Sequence, residues 1–206
     1  MNSRALMIAA VAAVGVALLA SGSAADPTGA VAASPGSQVW GTAIEVPGTA
    51  ELNQAGVADI SSVSCGAAGN CSAGGNYADS SGHQAFVVNQ VNGTWHTAIE
   101  VPGTAALNRG GVAAVTSVSC AAAGNCSAGG SYADSSFPHF QAFVASQVNG
   151  TWHTAIEVPG TAALNRGGNA QIASVSCAAA GECSAGGPYK DSSGNFHTQV
   201  FVVSET

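Results

Sequence analysis

Charge is what this sequence has least of. Only 7% of its 206 residues are charged, and Lys and Arg number 4 against 11 acids, giving a formal net charge of −7. Four cations make no electrostatic footprint for a phosphate backbone or an anionic lipid surface, which excludes nucleic acid as a partner. Large apolar side chains are also scarce. Leu, Ile, Val and Phe account for 33 of residues 26–206, or 18%, a level at which disorder becomes a real alternative to folding. Nothing after residue 25 carries a 3.6-residue periodicity, so no helix is expected. G-x-S-x-G, H-E-x-x-H and P-loop motifs are absent as well, leaving the common hydrolase and nucleotide chemistries without a foothold. The length permits one domain or two small ones.

The one long apolar run stands at the start. A polar tetrapeptide with a single Arg4 precedes sixteen residues (5–20) of Ala, Leu, Met, Ile, Val and one Gly, followed by SGSAA and Asp26-Pro27. Charged start, apolar middle and small-residue end predict a signal peptide, residues 1–25, cleaved after Ala25. Sixteen mostly Ala residues are short for a ~30 Å hydrocarbon core, so no stable membrane span is expected after cleavage. The single Arg points to general export rather than the twin-arginine route, and no Cys near the cleavage site offers a lipid attachment point. Residues 26–38 (DPTGAVAASPGSQ) read as a flexible lead-in. The mature chain would be extracellular and more acidic still, with Arg109, Arg166 and Lys190 its only basic residues.

Repetition organises the remainder. Trp40, Trp95 and Trp152 recur at spacings of 55 and 57, as do Cys65, Cys120 and Cys177, and Cys71, Cys126 and Cys183. Residues 90–111 and 147–168 are identical over 22 positions (QVNGTWHTAIEVPGTAALNRGG), which only tandem duplication explains. Within a unit, alternating and small-residue runs predict strands at 59–65, 71–77, 84–91 and 94–101. Asn92-Gly93 between the last two is a strong hairpin signal, because both turn positions favour positive φ. In the fourth strand Trp95, Thr97, Ile99 and Val101 share one face. Residues 102–111 form a crossover loop to the next unit.

Residues 39–206 therefore make a single all-β domain of three four-stranded antiparallel repeats, roughly 57–102, 112–159 and 169–206. The segment 39–47 supplies an orphan fourth strand, and the arithmetic closes if it completes the last repeat, tying the two ends together and removing an exposed edge. Each unit holds one C-x5-C pair bracketing a strand turn. Zinc knuckles space their ligands more closely and need a second pair, so structural disulfides Cys65–Cys71, Cys120–Cys126 and Cys177–Cys183 are expected in an oxidising compartment.

SVSC-x5-C-S-A-G-G (62–75), D-S-S-G-x-Q-A-F-V-V (79–88) and N-G-T-W (92–95) resemble the secreted, propeller-like repeat proteins common in high-GC Gram-positive bacteria, the actinobacterial type. GHQAF (82–86) is similar to extracellular HAF-family repeats. SQVNGTW (146–152) looks like a sialidase Asp-box with Val148 in place of the Asp, which implies a turn between third and fourth strands and no sialidase activity. The resemblance implies a β-propeller-like body. Three blades are few for closure, so either two chains share six blades, as a homodimer, or the threefold body is a β-trefoil; the small first strands (SSVSC, TSVSC, ASVSC) favour crowded blades.

In such a meander alternate turns emerge at one end, bringing the Tyr-x-Asp-Ser-Ser turns to the crossovers. That end would carry Tyr77, Tyr132 and Tyr189, Asp79, Asp134 and Asp191, His83, His139 and His197, with Asn53, Asn108, Asn165, Arg109 and Arg166. Stacking rings beside donors and acceptors suit a sugar, whereas Asp-Ser-Ser-Gly is also plain turn chemistry. His96 and Glu100, like His153 and Glu157, lie four apart on a strand, ~13 Å, too far to share a proton or ion, and read as surface decoration. No metal, cofactor or catalytic residue is expected, and no carboxylate pair stands at hydrolytic spacing. The reading is a secreted, non-catalytic module binding a glycan or cell-wall polymer; the alternatives are a purely structural repeat protein and, distantly, a glycosidase-like enzyme.

Overall fold

The computed structural model describes residues 40–192 and 197–205, so the predicted signal peptide, the predicted lead-in and Val39 lie outside the described residues. The chain divides into two units, Met1–Thr42 and Ala43–Thr206. The described part of the first, residues 40–42, has no regular secondary structure. The second holds every element of the fold.

After a one-turn helix α1 (Thr49–Leu52), the first repeat runs through β1 (Ala58–Ala67), β2 (Asn70–Asp79), β3 (Gly82–Val91), β4 (Thr94–Trp95) and β5 (Ile99–Glu100). A second one-turn helix, α2 (Thr104–Leu107), leads to β6 (Ala113–Ala122), β7 (Asn125–Ala133), β8 (Phe140–Val148), β9 (Thr151–Trp152) and β10 (Ile156–Glu157). Then come α3 (Thr161–Leu164), β11 (Ser174–Ala179), β12 (Glu182–Lys190) and β13 (Thr198–Ser204). Among the described residues these form three antiparallel sheets, one per repeat, that do not close into a barrel.

Local chemistry explains the meander. Asn92 and Gly93 take φ of 49° and 83°, and Asn149 and Gly150 take 49° and 84°, so both residues of each hairpin turn are left-handed as the Asn-Gly pair requires. The three disulfides are those expected from the spacing. In each, the two cysteines face one another directly across the first hairpin of their sheet.

The Ala-Gly-Gly run of each second strand has a purpose that composition did not reveal. β1 carries one extra residue between Ile60 and Ser62 opposite Gly75 and Gly74, and β6 one between Val115 and Ser117 opposite Gly130 and Gly129. This bulge bends the first strand onto the second. A Cβ on Gly75, Gly130 or Gly187 would collide with the carbonyl oxygen of Asp59, Ala114 or Gln171 respectively. In the first two repeats the preceding glycine opens to the following repeat, where a Cβ on Gly129 would stand 2.6 Å from the Ile172 side chain.

The sheets are joined through their first strands. The Ser62 hydroxyl accepts the Val118 N–H and the Ser64 hydroxyl accepts the Cys120 N–H, each at 3.0 Å. One repeat later Ser117 accepts from Val175 and Ser119 from Cys177, again at 3.0 Å. Main-chain donors of one repeat are thus satisfied by side chains of the one before. β6 lies between β1 and β11 in an ordered array. Its central core gathers Ala85, Val87 and Val101 of the first repeat with Val115, Val118, Phe143 and Trp152 of the second; a second cluster repeats the pattern around Ile172.

Three expectations need correction. The crossovers are not plain loops: each contains a single helical turn, with the Thr49, Thr104 and Thr161 hydroxyls donating to the carbonyls of Val46, Val101 and Val158 at 2.7 Å. One turn is too short to show periodicity. The fourth strand is not continuous either. Trp95 pairs with Gln90 and Ile99 with Val87, so four steps on one side match three on the other, and the extra residue breaks the face shared by Trp95 and Ile99. The intervening Ala98 instead gives its N–H to the Pro47 carbonyl, and Ala155 does the same to Pro102, both at 2.7 Å. Finally, residues 43–46 form no strand, and among the described residues the third sheet ends at three strands. Val46 and Leu52 pack on Ala73, Tyr77, Phe86 and Val88 of the first repeat, as Val101 and Leu107 pack on the second.

Candidate functional site

The meeting of turns and crossovers at one end is real. The His83 N–H donates to Gly111 O and the Phe140 N–H to Gly168 O, both at 2.9 Å, beside parallel bridges His83–Val112 and Phe140–Asn169. What these contacts do with the expected polar residues is mostly structural. Asp79 folds over its own turn, its Oδ1 accepting from the Ser81 N–H and hydroxyl, each at 2.7 Å. Asp134 accepts from the Ser136 N–H at 2.7 Å and from Gln141 at 3.0 Å. Asp191 holds the same position in the third repeat, where the counterpart of Ser81 is Ser193, outside the described residues.

Asn108 and Asn165 are buried clamps. Asn108 donates to His83 O and to the Gln84 side chain, both at 2.9 Å, and its Oδ1 accepts the Val112 N–H at 2.7 Å. Asn165 makes the equivalent bonds to Phe140 O, Gln141 and the Asn169 N–H. All side-chain groups of each amide thus serve to pin a crossover to the preceding turn. Gln84 is itself buried and bridges from Asn108 to Ser81. The sequence reading missed it and Gln141; their constant place just before Ala-Phe was the available signal.

The tyrosines also turn inward. Tyr77 and Tyr132 are each 3% exposed, and Tyr77 and Tyr189 lie beside Phe86 and Phe201 at ring separations of 6.4 and 6.5 Å. The Tyr132 hydroxyl donates to Glu157 at 3.0 Å, so this glutamate is no surface decoration. Neither Tyr77 nor Tyr132 offers a face for stacking a sugar. Burial pushes the Tyr77 hydroxyl up to about 12, helped by the charges of Glu100 and Asp79. Tyr132 is raised too, by burial first and then by its bond to Glu157 and that carboxylate's charge. The Ser81 hydroxyl holds Asp79 below the usual carboxylate range.

A titration follows from this. An unfolded tyrosine ionises near ~10; a folded one that ionises later binds more protons between the two values, so stability falls as pH rises across them. Tyrosinate absorbance should show Tyr77 and Tyr132 still protonated at pH 11 in the folded protein, with unfolding becoming easier from pH 10 to 12. Ionisation of Tyr77 and Tyr132 at pH 11 with the fold intact would contradict the burial.

Arginine, histidine and phenylalanine side chains are among those that face solvent at this end. Arg109 and Arg166 are exposed at equivalent crossover positions, and His139 and His197 are exposed beside the turns. Phe137, 59% exposed, stands edge-on to Phe140 at 6.3 Å; it belongs to the longer second turn and was not singled out from the sequence. His83 is half-buried, its Nδ1 3.3 Å from the Asn76 amide. Among the described residues no three His, Cys, Asp or Glu stand close enough to hold a metal ion, and no helix is long and apolar enough to cross a membrane.

No protein-family model matches this sequence, and no curated protein matches it.

Proposed function

We propose that this is a secreted, non-catalytic repeat protein whose sheets are arranged as propeller-like blades, and that it binds an extracellular glycan or wall polymer through the end where turns meet crossovers. The blade arrangement is supported by the juxtaposed first strands, which crowd small residues along one line as innermost strands do. Three disulfides fit an oxidising extracellular setting.

The observation that carries the binding reading is the pair of exposed guanidiniums, Arg109 and Arg166, presented one repeat apart on an otherwise acidic chain. A cation at repeat spacing suits a polymer with acidic groups at intervals, since Arg matches carboxylate and phosphate in a bidentate manner. The binding surface accordingly shifts from the tyrosines and asparagines to Arg109, Arg166, Phe137 and His139. Arg109→Ala with Arg166→Ala should cut retention on acidic wall polysaccharide at least tenfold while leaving the thermal midpoint unchanged. Retention equal to that of the unaltered protein would reject this surface. The alternative, a purely structural repeat protein, draws on the same end of the molecule: Asp79, Asp134, Asn108 and Asn165 all serve the fold.

A further inference from the structure

The two ends of the array carry halves of one joint. At the leading end Ile60 and Val63 are 43% and 56% exposed, although their counterparts Val115 and Val118 are 0% and 6% exposed beneath the first repeat. At the trailing end β13 has no outer partner among the described residues, and Val202 is 89% exposed where its counterpart Val87 is fully buried. Beside β13 lies a cavity of about 280 Å³. Its lining includes Val175, Cys183, Ala185 and Val203. The counterparts of these residues, Val118, Cys126, Ala128 and Ala145, share the central core with Trp152 and Ala155. Ser146 and Pro159 also line it; they correspond to Asn89, which accepts the Trp152 indole N–H at 3.0 Å, and to Pro102, which accepts the Ala155 N–H. The cavity is therefore the mould of a fourth strand like the one that fills the joint between the first two repeats.

The chain holds one further copy of that strand. Residues 42–50 (TAIEVPGTA) are identical to 97–105 and to 154–162. Ile44 is 63% exposed, and Trp40, the counterpart of Trp152, is 97% exposed. Within its own chain the segment 46–52 is docked on the first repeat, at the far end of the array from β13. Asn53, counterpart of the Asn108 clamp, has its Oδ1 buried without a partner among the described residues.

We propose that residues 40–46 of a second copy of this chain complete the third sheet, Ile44 pairing with Val202 in the register of Ile156 with Val144, and Trp40 entering the cavity. The Tyr189 hydroxyl then gains Glu45 of the second copy, as Tyr132 has Glu157, and the leading face of Ile60 and Val63 is covered by the third sheet of a neighbour. Such a head-to-tail joint, satisfied at both ends, makes a six-sheet ring from two chains. It is independent of the glycan reading, since neither Arg109 nor Arg166 lines the cavity.

Single variants Ile44→Cys and Val202→Cys, mixed and oxidised, test it. The expected product is a covalent pair joining one of each, in clear excess over either variant alone, and the double variant should link into covalent dimers. An internal 44–202 link within one chain, or no excess pair in the mixture, would overturn the proposal. Should the added thiols disturb native pairing, sedimentation of the unaltered protein decides: assembly that Trp40→Ala weakens at least tenfold supports the joint, and a strict monomer at millimolar concentration rejects it.

Discussion

Gly130→Ala is expected to destabilise the protein by about 3 kcal/mol, the upper range for overpacking. The added methyl would meet the Ala114 carbonyl oxygen and come within 2.9 Å of the Phe143 ring. Phe143 is fully buried, so neither neighbour has room to retreat. Because the first obstacle is main chain, truncating a side chain nearby offers no relief; only undoing the bulge between Val115 and Ser117 does. That would also misplace Ser117 and Ser119, which hold the N–H groups of Val175 and Cys177, so the damage should spread into the third repeat. Urea unfolding gives the measurement, through a lowered midpoint. A loss under about 1 kcal/mol would mean that the strand accommodates a side chain after all.

Reducing all three disulfides should unfold the protein at ambient temperature. Each closes a short loop, contributing roughly 2–2.5 kcal/mol in the chain-entropy account, and together about 7 kcal/mol against a typical domain stability of about 5–15 kcal/mol. The core offers little to make up the difference, with its few large side chains. The three bonds should not be equal. Cys126 is 4% exposed and sits with Cys120 in the central cluster, whereas Cys65 is exposed and Cys71 only half-buried. Replacing Cys120 and Cys126 by Ser should therefore cost the most, adding buried polar atoms to the lost constraint. Circular dichroism with and without reductant is enough to decide; an unchanged thermal midpoint in reductant would remove the disulfides from the account of stability.

Strands, turns and disulfides were legible because each rests on local rules: alternation, Asn-Gly pairs and repeated cysteine spacing. The bulges, the one-turn helices and the break at residues 96–98 were not, since each is set by a neighbour. Ala98 leaves its sheet because Pro47 waits on the adjoining segment, and nothing within the string HTAIEV states that. The candidate site shows the same division. That turns and crossovers share an end followed from topology, and the contacts of His83 and Phe140 bear it out. Which way each side chain turns did not follow: Tyr77, Tyr132, Asn108 and Asn165 are polar enough to be read as ligand-facing, yet partners supplied by other strands draw them inside.

The serine hydroxyls that join one first strand to the next have an evolutionary corollary. They hold main-chain N–H groups, which every residue type but proline provides, so the junction is indifferent to which repeat comes next. Joining Gly111 directly to Asn169 would bring Ser62 and Ser64 opposite Val175 and Cys177, where Ser117 and Ser119 now stand. Asn108 would then find the Asn169 N–H that Asn165 now holds. The 22 identical residues at 90–111 and 147–168 give recombination a ready template for such an exchange. Copy number is thus a free variable in this architecture, open to change in units of a whole sheet without any new junction having to be invented.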